Sequence, residues 1–305
     1  MAINRVEIRD FLVFKGVFAV DFCPGVNVLI GGNGTGKTSL LKALYENVKA
    51  LAVHRSISGS PRKTALSFGE ETEQYGNVRT SMDSGYDGRS AYIPEKDILE
   101  HAKGLLTFIE QKQTGFDHVY RDVLIAAQDV PMQLQSELQV SIGQKIAAII
   151  GGKMEWDKGE GTFYTARTDG SRIPFATEAS GYKKLGFLGL LISSGQLESG
   201  SILFWDEPEN SLNPEFVSML VEILLELSRN SVQIFLATHS EIFASYFAVN
   251  RRKNDHVMFY SLYKDSDQIK ADASDRFDLL VPNNLTHEPV KLYEKKLEKG
   301  PGGNV

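Results

Sequence analysis

One cysteine, Cys23, serves the whole of this 305-residue chain. A lone thiol cannot build an internal disulfide framework, so the fold must rest on a buried core, and a reducing, cytoplasmic setting is expected. Long apolar runs are also missing. The longest, at residues 187–192, 202–205 and 216–227, are interrupted or well short of the ~18–20 residues that span a bilayer, so no membrane partner is expected. The opening MAINRVEIRD alternates apolar and charged residues and lacks the apolar core of a signal peptide. There is no excess of basic charge: 33 Lys and Arg face 39 Asp and Glu, for a net charge of -6. That argues against a protein coated in nucleic acid, although a local basic strip is compatible with it. No internal repeat and no heptad run occur. With 42% hydrophobic and 24% charged residues, the chain reads as a globular protein of one large or two modest domains.

The pattern begins with strands near Ile3, Val6 and Ile8, then at 17–22 and 25–30. A helix follows from about Ser39, with Leu41, Leu44, Tyr45, Val48 and Leu51 on one stripe. Residues 55–90 are rich in Ser, Gly and charge and predict a mobile insertion or long loop. From Glu95 to about Ile150 the spacing is helical, with Pro131 separating two helices. Residues 151–175 alternate around turn signals at Lys158-Gly159 and Asp169-Gly170, which predicts a small β-meander. A helix, a strand at 202–205, a helix from Pro214, a strand at 232–237 and a hairpin-like tail complete the chain. This order predicts an α/β fold with a mostly parallel sheet covered on both faces. The expected divisions are an N-terminal lobe at 1–94, a helical subdomain with the meander at 95–176, a C-terminal lobe at 177–265 and a short tail at 266–305.

Residues 31–38, GGNGTGKT, match the phosphate-binding loop G-x-x-x-x-G-K-T between an apolar strand and a helix. Asn33, Gly34, Thr35, Gly36, Lys37, Thr38 and Ser39 are therefore the candidate cradle. Its glycines let successive backbone N–H groups wrap phosphate oxygens, and the helix N-terminus adds partial positive charge. Lys37 is expected to reach the β and γ phosphates of ATP, and the Thr38 hydroxyl to ligate Mg²⁺. The apolar run 202–205 ends in Asp206 and Glu207, which a buried parallel strand delivers to the same sheet edge. Asp206 is the candidate Mg²⁺ holder and Glu207 the candidate general base for the attacking water. A second apolar strand ends in Thr238, His239 and Ser240, placing His239 near the γ-phosphate as a catalytic donor. Asn213 before Pro214 reads as a helix N-cap, while Asn210 and Ser211 are candidates for contact with a second subunit.

Ser180 and Gly181 open an apolar helix with Tyr182, Leu185, Leu188 and Ile192 on an amphipathic stripe. Ser180 is expected to cap this helix, whose N-terminus could also point at a phosphate. Gly186 and Gly189 would permit close packing.

In this order, the phosphate loop, the Ser-Gly helix, the strand ending Asp-Glu-Pro and the Thr-His-Ser turn resemble the ABC-type ATPases. More closely, the chain resembles their RecF/SMC/OLD-like branch of AAA-family ATP-binding proteins, over roughly residues 1–265. That resemblance implies a P-loop NTPase fold with N-terminal antiparallel strands and an inserted helical lobe. It implies ATP and Mg²⁺ as ligands, and ATP hydrolysis. It also implies that Ser180 and Gly181 of one protomer contact the γ-phosphate held by the other, in an ATP-dependent head-to-tail homodimer. Lys15 resembles the family's basic residue near the nucleotide, and Glu95 occupies the Q-loop region, where it would help hold the metal. The transporter signature L-S-G-G-Q is absent, and no coiled coil interrupts the lobes. The residues after the ATPase core are expected to carry no nuclease domain. The leading expectation is an ATPase that powers or restrains a separate effector, such as a nuclease or toxin, in DNA repair or defence against mobile elements. A DNA clamp or loader using Arg62-Lys63 and Arg251-Arg252-Lys253 stays open, as does a small-molecule kinase.

Overall fold

The computed structural model describes residues 2–58, 66–68, 77–82, 88–99, 102–111, 118–128 and 135–283, with positions 285, 291, 293–295 and 298. In chain order the elements are β1 (Ile3–Phe11), β2 (Phe14–Asp21), β3 (Val26–Gly31), α1 (Lys37–Ser58), β4 (Leu66–Phe68), β5 (Asn77–Met82) and β6 (Ser90–Ile93). There follow α2 (Ala102–Gln111), α3 (His118–Ala127), α4 (Glu137–Ile150), β7 (Gly152–Asp157), β8 (Thr162–Arg167), β9 (Arg172–Pro174) and α5 (Ser180–Ser193). The last group is β10 (Ile202–Asp206), α6 (Pro214–Arg229), β11 (Gln233–Thr238), α7 (Glu241–Asn250), β12 (Val257–Asp265) and β13 (Gln268–Ser274).

The central sheet has the order β13-β12-β3-β11-β10-β6. Its pairs are parallel from β12 to β6, and only β13 runs antiparallel. Every residue of β3, β10 and β11 is buried. Because successive side chains point to opposite faces, unbroken burial means that both faces are covered, which is why these segments read as continuous apolar runs. Phe204 stacks on Phe235 within this core at 5.2 Å between ring centroids.

A second sheet, β2-β1-β5-β4, is antiparallel, and its β1–β2 hairpin buries Val6, Ile8, Phe14, Phe18 and Val20. This sheet corrects the expectation of a loop over 55–90, because β4 and β5 fall inside that stretch. β5 alternates with a period of two but carries charge and Ser on its open face, so composition hid the strand. Three antiparallel strands, β7-β8-β9, form the expected meander. Pro131 and the Arg62-Lys63 pair lie outside the described residues.

Two further points concern the tail and α5. Beyond residue 265, β13 pairs along the whole end of β12, Phe277 is buried, and the Asp272 carboxylate accepts from the Val281 N–H at 2.8 Å. Of the acidic run 272–278, residues 272–274 therefore belong to the sheet edge, while Asp275, Arg276 and Asp278 are exposed. α5 is not amphipathic either: Lys183, Lys184, Phe187 and Leu190 are buried along with its expected stripe. Gly186 and Gly189 do let it approach its neighbours. A Cβ at Gly186 would sit 3.0 Å from Met154, and one at Gly189 would reach ordinary contact with Ile146 of α4.

Candidate active site

Parallel pairing sets the carboxyl ends of β3, β11 and β10 side by side, and all the candidate chemistry lies there. β3 ends at Gly31 with φ +148, and a Cβ at that position would lie 2.3 Å from the Leu262 carbonyl oxygen of β12. Only glycine fits such a place. Gly36, at φ +90, is pinned in the same way by Val13 and Phe14 of the β1–β2 turn, each 2.8 Å from the position of a Cβ. Lys15 follows Phe14 and is exposed. The loop holds itself together: Thr35 donates to the Gly32 carbonyl at 2.9 Å, and the Lys37 ammonium donates to the carbonyls of Gly31 (2.8 Å) and Gly32 (3.1 Å). Lys37 is buried, and that burial pulls its pKa down to about 8 against the opposing pull of Glu207, Asp206 and Glu209.

The next residue meets the second strand. Thr38 Oγ1 donates to Asp206 Oδ2 at 2.8 Å. Asp206 is buried, which raises its pKa, while the Thr38 hydroxyl works the other way. A hydroxyl and a carboxylate side by side are hard oxygen donors suited to Mg²⁺. Among the described residues no group of three or more His, Cys, Asp and Glu could cage a metal alone. A cation at Thr38 and Asp206 would draw its other ligands from outside such a cluster.

Glu207 turns away from the strand with φ +49, and its N–H donates to the Ala237 carbonyl of β11 at 2.8 Å. Its Oε1 lies 3.2 Å from His239 Nε2. Burial raises the Glu207 pKa, with Glu95 adding to the rise. Burial also lowers that of His239, reinforced by the positive charge of Lys37. A proton-hungry carboxylate thus faces a neutral imidazole. Glu95 is exposed two residues beyond β6, and its charge raises the pKa values of Asp206, Glu207, Lys184 and His239, which places it beside the cluster.

Ser180 and Gly181 are placed differently from the expectation of a serine cap. Ala179 is the N-cap, in extended conformation and with no side-chain hydrogen bond, so Ser180 is the first helical residue. Its exposed position leaves the helix N-terminus open to solvent. A Cβ on Gly181 would lie 2.7 Å from the Ser211 carbonyl oxygen, so this turn packs directly on the loop after β10. Ser180, Asn210 and Ser211 are all exposed there, whereas Lys37 lies buried in its own loop. Asn213 caps α6 as expected, accepting from the Glu215 N–H.

Two residues escaped sequence reasoning. Lys184 is buried and donates to the Glu207 carbonyl at 2.8 Å. Glu209 accepts from the Thr238 hydroxyl, and its other carboxylate oxygen, Oε2, is buried without a hydrogen-bond partner. The sequence signal for Lys184 was charge at the head of an apolar run, and Glu209 lies in the polar stretch after β10 with nothing to single it out.

A phosphate loop, a strand ending in carboxylates and a strand ending in histidine, on one edge of a parallel sheet, define an AAA/ABC-type ATPase of the RecF/SMC branch. The chain belongs to the family described as "AAA domain, putative AbiEii toxin, Type IV TA system", whose model matches residues 46–245, or 200 of 305. The model described as "AAA ATPase domain" matches residues 1–51. The chain is also similar to the DNA replication and repair protein RecF of Shigella dysenteriae and of Escherichia coli. Both are 28% identical over 28% of this chain and 29% of the relative, so the match spans under a third of those proteins. Among solved structures it is similar to an Smc head bound to the C-winged helix domain of ScpA. That likeness has a TM-score of 0.54 and 12% identity, covering 92% of this chain and 100% of the other. An Smc head with an extended coiled coil, bound to the C-terminal domain of ScpA derived from Pyrococcus furiosus, gives a TM-score of 0.52 at 12% identity, covering 96% and 98%. At that identity the likeness speaks for the fold. No helix among the described residues is long and apolar enough to cross a membrane.

Proposed function

We propose that the chain binds ATP with Mg²⁺ and hydrolyses it, and that it does so as an ATP-sandwiched homodimer regulating or powering a separate effector in the cytoplasm. The observation that carries the hydrolytic reading is the Glu207–His239 contact at 3.2 Å, one strand away from the Thr38–Asp206 bond. In this reading the loop 33–39 wraps the phosphates, and Lys37 exchanges its two loop carbonyls for phosphate oxygens. Thr38 and Asp206 would hold Mg²⁺, with Glu95 nearby to help hold it. Bound there, the cation would neutralise developing phosphate charge. Glu207 takes the proton of the attacking water, since burial has raised its affinity for one. His239, kept neutral, has a single ring N–H; its Nε2 orients Glu207 before nucleotide arrives and would turn that donor to the γ-phosphate once ATP is bound. Lys15 lies next to the turn that braces Gly36 and contributes positive charge at the mouth of the loop.

The dimer reading rests on the exposed Ser180 end of α5, with free helical N–H groups, beside exposed Asn210 and Ser211. Such an end suits an anion delivered by a second copy. An effector of the toxin kind accords with the family's description, which speaks of a putative toxin and a toxin–antitoxin system. The test is Glu207→Gln: with ATP and Mg²⁺ the variant should elute as a dimer and release no phosphate, whereas a monomer at every ATP concentration would rule the sandwich out.

A second reading is a DNA clamp or loader. Arg252 and Lys253, with Arg229 and His256, line a cavity of about 610 Å³ at the amino ends of the strands. Binding of duplex should then weaken steeply with salt; no binding at low salt with ATP present would remove this reading.

A further inference from the structure

Lys184 is a buried cation that phosphate binding does not use. It lies in the second turn of α5, and its ammonium donates to the backbone carbonyl of Glu207 at 2.8 Å. The same carbonyl accepts from the Asn210 N–H at 3.1 Å, while the Glu207 N–H is tied to Ala237 of β11. Both backbone groups of the residue carrying the base are therefore fixed, one by the sheet and one by α5. This matters because Glu207 sits at φ +49, a region few side-chain-bearing residues occupy unless their surroundings hold them there.

α5 grips the other end of the same segment as well. At Gly181 the helix backbone closes on the Ser211 carbonyl and Leu212, leaving no room for a Cβ. The neighbouring Lys183 is buried too, 3.4 Å from Asp97 and over the Phe175 ring, which anchors α5 to the segment that follows β6. A buried ammonium is costly unless a partner repays its lost hydration, and an aliphatic side chain would fill the same space without that cost. Lys184 has the Glu207 carbonyl as its hydrogen-bond partner, with the carboxylates of Glu209 and Glu207 supplying opposite charge.

We propose that Lys184 is a positioning residue: through the Glu207 carbonyl it couples the placement of α5, and so of Ser180 and Gly181 at its tip, to the placement of the Glu207 carboxylate. The inference rests on the ATPase reading above. A second copy pressing its nucleotide against the tip of α5 would then set the base in line for attack, making turnover depend on assembly.

Lys184→Met and Lys184→Arg are compared with the wild type and with Glu207→Gln in the full chain. The readouts are kcat, KM, the Kd of a fluorescent ATP analogue and melting temperature. Lys184→Met should lower kcat about 100-fold, the cost of displacing a reacting group by roughly an ångström, with KM and Kd within about threefold. Lys184→Arg keeps the charge and donor and should recover turnover to within about tenfold of wild type. Wild-type kcat in Lys184→Met overturns the inference. So does a loss of kcat that follows melting temperature in both variants. If Lys184→Met fails to fold, Lys184→Gln, which retains a donor without the charge, is read against the same criteria. A wild type that releases no phosphate would instead overturn the ATPase reading itself, and undiminished turnover in Glu207→Gln the role of Glu207 as base, whereas an inactive Glu207→Gln beside a fully active Lys184→Met removes only the coupling.

Discussion

Thr38 and Asp206 stand 168 residues apart in sequence, yet the hydroxyl of one donates to the carboxylate of the other at 2.8 Å. The first turn of α1 and the last residue of β10 thereby share one polar contact at the base of the phosphate loop. Asp206→Asn keeps the shape but removes the charge that would attract Mg²⁺. Turnover should fall at least about 100-fold, since a metal's charge stabilisation is worth several kcal/mol. Nucleotide affinity in EDTA should stay within a few-fold of wild type. Phosphate-release assays and nucleotide titration with and without Mg²⁺ check both halves.

His239 makes the second test. Its Nε2 lies 3.2 Å from Glu207 Oε1, and burial favours its neutral form. His239→Ala should lower turnover by about 10²–10³-fold, the range for losing one preorganised donor, while nucleotide still binds. Equal loss of binding and turnover would instead point to a structural role.

Cys23 offers a pH test remote from the site. Burial pushes its thiol up to about 11. The sulfur also donates to the Val26 carbonyl at 3.4 Å. Only the thiolate reacts, so at pH 8 iodoacetamide should modify the native protein about 100-fold more slowly than the unfolded chain. The native rate should keep rising with pH beyond 9, where an ordinary thiol has levelled off. Rapid labelling at pH 8, followed by mass spectrometry, would contradict this.

Asp255 ties the start of β12 to the end of α6. It accepts from Arg229 Nε at 2.9 Å and from a terminal guanidinium nitrogen at 2.6 Å, and also from the Arg252 N–H at 2.8 Å. The Arg229 hydrogen bonds hold its pKa below the ordinary carboxylate value. A depressed folded-state pKa stabilises fully above the unfolded value near 4 and loses that contribution as pH falls through the folded one. Asp255→Asn should therefore cost about 2 kcal/mol at neutral pH. The gap from wild type should narrow as pH falls below about 4 and close once pH passes the folded-state pKa. Urea titrations at pH 7 and at steps below pH 4 follow the change.

The parts of the site that sequence revealed are those written in short contiguous stretches. Residues 31–38 carry the loop and its helix start together, and Asp206, Glu207 and His239 follow directly on apolar runs. Parallel pairing alone then brings them to one edge. What stayed hidden depends on contacts across distant segments. The Lys184 bond to a backbone carbonyl leaves no pattern in composition. Gln233 looked like an ordinary strand residue, yet its amide accepts from the Ile3 N–H at 2.7 Å and donates to the Ile3 carbonyl at 3.0 Å, fastening β1 to the central sheet. The cap of α5 was misplaced by one residue because an extended Ala179 takes the position that serine usually holds. β5 was masked by Arg79 and Ser81 on its open face, and its strand character comes from pairing with β1.

The Leu262 carbonyl occupies the space that any side chain at residue 31 would need. A turn near the beginning of the polypeptide is thus shaped by a strand made more than two hundred residues later. During synthesis the GKT-bearing turn has no wall to lean on until β12 has left the ribosome and docked. Nucleotide capture becomes a late event in the birth of this molecule, and nascent chains released before that strand should be blind to ATP.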